Sequence, residues 1–95
     1  MVRIMYRWTV KPGEEDQFIR DWREGTRRIQ ANCAGAHGSY LTRSMKEPQH
    51  FFGTARWESA EAWRAAQPVM MKLNLPGRIP ETADFYEEIA EIVRD

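Results

Sequence analysis

Nine residues at the N-terminus alternate without a break, with Val2, Ile4, Tyr6, Trp8 and Val10 on one side and Arg3, Met5, Arg7 and Thr9 on the other. Successive side chains of a β-strand face opposite ways, so this spacing predicts a strand with one buried face and one mixed face. Such a strand persists only in a sheet whose apolar face is covered by a second layer. At 95 residues the chain has room for one domain of that kind, spanning residues 1–95.

Lys11-Pro12-Gly13 ends the alternation, and Glu14-Glu15-Asp16 follow where a helix N-terminus favours negative charge. The helix runs to about Ala31, with Phe18, Trp22, Gly25 or Thr26, and Ile29 as its apolar stripe. Asp16, Arg20, Glu24 and Arg28 make a ladder of alternating sign on its solvated face. Asn32-Cys33-Ala34-Gly35 stops it. A second strand is expected from about His37 to Met45, then a turn at Lys46-Glu47-Pro48-Gln49, then a third strand from His50 to Trp57, the two forming a hairpin.

Ser59 supplies an N-cap for an Ala-rich helix from Ala60, which Pro68 interrupts or restarts. Pro76-Gly77 and Pro80 stiffen a loop before a last segment, Asp84 to Arg94. Phe85, Ile89 and Val93 fit a helix there, while Tyr86, Glu88, Ala90 and Ile92 fit a partly polar strand. Topology decides for the strand, because a fourth strand gives the second helix somewhere to return. The order strand, helix, strand, strand, helix, strand is that of a ferredoxin-like α+β domain with an antiparallel sheet.

Composition narrows the function. Fourteen cations balance fourteen anions, so neither a nucleic-acid footprint nor an affinity for anionic membranes is indicated. Residues 1 to 46 hold nine Lys and Arg against five Asp and Glu, and the remainder hold five against nine, a division compatible with self-association. No apolar run approaches a membrane span and the N-terminus lacks the apolar block of a signal peptide, which reads as a cytoplasmic protein. Cys33, the single cysteine, reads as a small apolar filler near a helix end and excludes an internal disulfide. Four Trp, four Phe and three Tyr are more aromatic area than one thin core hides, so some of it is expected in a pocket or a subunit interface.

Motifs for phosphate, zinc or an elbow nucleophile are absent. His37 and His50 are the only histidines; thirteen residues and a turn apart, they read as polar strand ends rather than a metal pair. The informative stretch is Gly53-Thr54-Ala55-Arg56-Trp57-Glu58-Ser59-Ala60-Glu61-Ala62-Trp63. Trp57 ends a strand and Trp63 stands on the following helix, so two large aromatics and Arg56 or Arg64 are expected to meet at a strand-to-helix corner. A flat ligand stacks well on such a corner; equally, the two rings close the edge of a core.

Lys11-Pro12-Gly13-Glu14-Glu15, Trp22 with the acid that follows, Gly38-Ser39-Tyr40-Leu41, and Trp57-Glu58-Ser59 with Ala62-Trp63 resemble the antibiotic biosynthesis monooxygenase family over about residues 2 to 73. The resemblance implies a ferredoxin-like fold that pairs two sheets into a dimeric α+β barrel. It also implies oxidation of phenolic or quinol-like rings by O₂ without flavin, haem or metal. The family's implicated Trp corresponds to Trp57, its helix aromatic to Trp63, and its Arg slot lies near Arg78. Its Asn slot, four residues before the Trp, reads Gly53, so a donor to the ring oxygen or the peroxy intermediate has to come from elsewhere. A haem-degrading branch of the fold is disfavoured, because its slots read Tyr6 and Ala66 and no histidine follows His50.

The expected function is a homodimeric, cofactor-independent monooxygenase of a quinol, anthrone or polyketide-type aromatic, with O₂ as co-substrate. Trp57 and Arg78 carry the chemistry, Arg78 as anion stabiliser; Tyr6, Trp63 and His50 hold the substrate. The general base is open among Tyr6, His50 and the substrate's own acidity. The alternatives are a non-catalytic dimeric module that binds a hydrophobic aromatic ligand, and a structural protein whose aromatics fill core and interface. The mixed sheet face, with Met5 and Thr9, is the expected dimer surface.

Overall fold

The computed structural model describes residues 1–94. Its elements run β1 (Val2–Thr9), α1 (Glu15–Asn32), β2 (Ala36–Arg43), β3 (His50–Trp57), α2 (Ala60–Lys72) and β4 (Thr82–Glu87). All neighbouring strands are antiparallel and lie in the order β2-β3-β1-β4, the ferredoxin-like arrangement.

The alternation of β1 does what its spacing requires: Ile4, Trp8 and Val10 are buried, and the register sets Ile4 opposite Ala55, Tyr6 opposite Gly53 and Trp8 opposite Phe51. Strand β3 repeats the pattern, with Phe51, Gly53, Ala55 and Trp57 buried and the residues between them less so. The core is thereby split in two. Ile4, Cys33, Ala55, Trp57 and Ala66 form one cluster, Trp8, Val10, Phe18 and Phe51 the other, and Tyr6 packs against both.

Helix α1 lays Phe18 against Trp8 and Phe51 of the sheet and also buries Gly25. Of the expected ion ladder only Glu24–Arg28 forms, at 3.0 Å, while Arg20 bonds Gln17 at 2.9 Å. Helix α2 is capped by Ser59, whose hydroxyl accepts from the Ala62 amide at 3.0 Å. Pro68 does not interrupt it: the helix runs on to Lys72. Proline removes the bond to the carbonyl four residues back; here that carbonyl belongs to Arg64, which is exposed like Pro68, so the loss falls on the solvent-facing side of the helix.

Two strands differ from expectation. Strand β2 begins at Ala36, with an irregularity before Gly38, and ends at Arg43. Strand β4 covers Thr82 to Glu87 instead of Asp84 to Arg94. Among the described residues its one partner strand is β1, and the ladder closes with Val2 opposite Glu87 and the Glu88 amide donating to the Met1 carbonyl at 3.0 Å.

On the sheet face turned away from the helices, Glu88 receives Arg3 Nε at 3.0 Å and Arg56 Nε at 2.9 Å. Arg56 therefore does not join Trp57 at the corner, since neighbouring strand residues face opposite sides. Arg64 is exposed on α2.

Candidate functional site

Between the two core clusters lies a cleft of about 450 Å³. Its floor includes the small residues Gly53 and Ala55 at the middle of the sheet, and large rings from the surrounding elements wall it.

Tyr6 and Trp8 come from β1, Phe18 and Trp22 from α1, Trp57 from the end of β3 and Trp63 from α2. Trp63 meets Phe85 of β4 edge-on at 4.8 Å between centroids, which fixes its ring. Trp57 is only 3% exposed and shares the floor with Ala36.

The connection from Leu73 to Pro80 passes over the cleft as a strap. Asn74 takes a left-handed φ of 49° and Gly77 a φ of 122°, turns that shape the strap. Three contacts seat it. The Trp8 indole N–H donates to the Arg78 carbonyl at 3.0 Å. The Arg78 guanidinium pairs with the Glu14 carboxylate at the start of α1. Gly25 lets α1 approach so closely that a Cβ there would lie 2.9 Å from the Pro76 carbonyl oxygen.

Gly53 is filled from across the sheet. A Cβ on it would lie 2.8 Å from Cζ3 and 3.0 Å from Cη2 of Trp8, so the indole occupies the space a side chain at position 53 would need. Trp8 reaches there diagonally, from a residue opposite Phe51.

Among the described residues the lining contains no Asp, Glu, His, Lys or Cys. Tyr6 is its one titratable acid, and burial pushes that hydroxyl above its ordinary value, partly offset by the Trp63 indole N–H beside it. A tyrosine so placed is protonated at neutral pH and serves as a hydrogen-bond donor. Gln30, Gln67, Ser39 and Thr26 add neutral polar groups at the walls. The cleft is thus aromatic and uncharged except at Arg78, whose charge is shared with Glu14. Such a lining suits a flat hydroxylated ring.

The structure brings Tyr6, Trp57, Trp63 and Arg78 to this one cleft. His50 does not belong to it: it opens β3 at the hairpin, with its Nε2 3.5 Å from the Glu47 carboxylate and its side chain more than half exposed. The hairpin turn, not the cleft, holds that imidazole, so neither substrate contact nor base catalysis at this cleft is available to it. His37 faces Glu58 at 3.8 Å. Among the described residues no group of three or more His, Cys, Asp and Glu is placed to hold a metal ion, and no helix is long and apolar enough to cross a membrane. Sequence reasoning missed Trp8 and Trp22 as wall residues, and Phe85 as the ring that backs Trp63. Trp8 carried a signal, since it shares the alternation of Tyr6; Phe85 required the strand register.

Several solved structures share the fold. A candidate antibiotic biosynthesis monooxygenase from Bordetella bronchiseptica is 21% identical with a TM-score of 0.69, covering 94% of this chain and 97% of its own. A candidate of the same kind from Nitrosomonas europaea is 12% identical with a TM-score of 0.70, covering 95% and 100%. A variant of SnoaB, a cofactor-independent oxygenase from Streptomyces nogalater, is 20% identical with a TM-score of 0.66, covering 97% and 94%. No curated protein matches the chain. The family model for antibiotic biosynthesis monooxygenase matches residues 1–67, and these residues supply both core clusters, the Trp8–Gly53 contact and the Trp57–Trp63 corner: the chain belongs to the antibiotic biosynthesis monooxygenase family.

Proposed function

We propose that this protein is a cofactor-independent monooxygenase that oxidises an electron-rich hydroxyaromatic, of quinol, anthrone or polyketide type, with O₂. The observation that carries the reading is the aromatic cleft, with no carboxylate among its described lining residues and with the Tyr6 hydroxyl at its wall.

A deprotonated hydroxyaromatic is reducing enough to pass an electron to O₂ itself, so the protein's part is to hold the ring, favour its anion and exclude water. Transfer of one electron leaves a ring radical and superoxide, which combine to form a carbon–oxygen bond. In the anthrone case the peroxide then loses water: both hydrogens of the ring methylene leave, one oxygen atom stays as a carbonyl and the other departs in water. Electrons balance with O₂ as the only oxidant. Trp57 and Trp63 flank the ring, the Tyr6 hydroxyl donates a hydrogen bond to the developing oxyanion and keeps its proton, and Arg78 supplies positive potential at the rim. The substrate proton passes to water through the cleft mouth, driven by the substrate's own acidity, because Tyr6 cannot accept it at neutral pH.

The functional unit in this reading is one domain over residues 1–95, working in the cytoplasm as a homodimer. Met5 and Phe52, half-buried on the outer sheet face, and Tyr40 and Tyr86, 69% and 53% exposed there, support that face as the dimer surface. Sedimentation giving a concentration-independent species of 11.2 kDa overturns it.

The binding-module reading has its own support: position 53 carries no donor, and the Arg78 guanidinium is already paired. Oxygen uptake across a panel of hydroquinones and anthrones separates the two. Both readings expect ligand binding weakened by about 1–2 kcal/mol in Trp63→Ala; uptake with at least one of the panel is the result expected of the enzyme. A wild type that binds aromatic ligands and consumes no oxygen with any of them is the binding module.

A further inference from the structure

Trp8 has two structural attachments. Its indole N–H is spent on the Arg78 carbonyl at 3.0 Å, and its benzo edge lies on Gly53, where an added Cβ would come within 2.8 Å of Cζ3. Phe18 packs against the ring edge-on at 5.3 Å between centroids, and Tyr6 stands 5.8 Å away. The ring also lines the cleft. The ring is therefore a wall whose position depends on the absence of a side chain 45 residues further along, and any atom added at Gly53 pushes it toward a ligand.

We propose that Trp8, seated on Gly53, is the specificity-determining residue of the cleft and sets how many fused rings a bound hydroxyarene can have. The proposal rests on the reading that the cleft takes hydroxyaromatic ligands. Shortening the wall lengthens the cleft, and lifting the wall shortens it. Trp8→Phe deletes the atoms over Gly53 and leaves an apolar ring in the core cluster. Gly53→Ala keeps the indole and displaces it. In Trp8→Phe with Gly53→Ala the new methyl group occupies the volume vacated by Cζ3 and Cη2, so the two changes compensate.

The test measures binding of two fluorescent probes, 2-naphthol with two rings and 1-hydroxypyrene with four, by the anisotropy of the probe itself. The readout is the ratio of their dissociation constants. Trp8→Phe is expected to shift that ratio toward hydroxypyrene by about tenfold, the scale on which a pocket discriminates small changes in apolar volume. Gly53→Ala shifts it toward naphthol, and the double variant returns it to near the wild-type value. Loss of the N–H bond to Arg78 loosens the strap over both probes alike and cancels in the ratio.

A ratio unchanged in Trp8→Phe, or a double variant no nearer to wild type than Trp8→Phe, overturns the proposal. Should Gly53→Ala fail to fold, those two comparisons still decide it. Failure of the underlying reading looks different: a wild type that binds neither probe removes the aromatic ligand and this proposal with it. A wild type that binds both and consumes no oxygen removes the oxygenase alone.

Discussion

Glu14, at the N-terminal boundary of α1, holds the guanidinium of Arg78, 64 residues further along the chain, at the rim of the cleft. The pair is half-exposed, so its contribution to stability is below about 1 kcal/mol. Its effect on the charge presented to a ligand is larger, because the only cation lining the cleft is largely neutralised. Glu14→Gln frees that charge and is expected to raise oxygen uptake, by less than about tenfold at surface dielectric, while Arg78→Ala lowers it. If both variants lose uptake equally, the pair is a clamp for the strap and Arg78 has no electrostatic part in turnover.

Gly25 is the contact point between α1 and the strap. Alanine is the better helix former by about 1 kcal/mol, but its Cβ would sit 2.9 Å from the Pro76 carbonyl, a backbone atom that cannot swing aside. The clash prevails. Gly25→Ala is expected to destabilise the fold by about 1–2 kcal/mol and to weaken binding of aromatic ligands, as read from urea unfolding and probe titration. A more stable variant with unchanged binding contradicts the strap's assigned position.

Glu88 lies between Arg3 and Arg56, and its carboxyl is held below the ordinary carboxylate range, chiefly by the hydrogen bonds from Arg56 and further by the charges of Arg56 and Arg3. With the folded value below the unfolded one, at about 4.3 for a free Glu, its stabilisation is complete above the unfolded value and is lost as pH falls through the folded one. Wild type and Glu88→Gln should therefore differ most in urea midpoint at neutral pH and converge in acid. A gap that stays constant down the titration excludes this carboxylate as a source of acid sensitivity.

Cys33 is 6% exposed within the first core cluster, and burial raises its thiol above the usual range. It is expected to resist thiol reagents in the native protein and to react at the rate of unfolding when urea is added. Rapid labelling of the folded chain would show that the C-terminal end of α1 opens on its own.

What was local in the sequence was legible there. The alternation from Val2 to Val10, the Ser59 cap and the bounds of β3 each follow from side-chain spacing or a single hydrogen bond, and the structure has them at those residues. Arg56 and Trp57 belonged to opposite faces by the same period-two rule, and grouping them at one corner ignored it.

Everything that depended on a distant partner was decided by tertiary structure. Strand β4 ends at Glu87, the residue its register sets opposite Val2, the first residue of β1. His50 leaves the cleft because the hairpin turns it toward Glu47. Above all, Gly53 in isolation reads as a missing side chain, and only the antiparallel register, which lays Trp8 diagonally across it, turns that absence into the seat of a wall. The sequence by itself determined the elements and the aromatic stock of the site, because both are carried by neighbouring residues. Which aromatic fills which space was settled by the packing of residues dozens of positions apart, since volume is shared between elements and no single segment contains it.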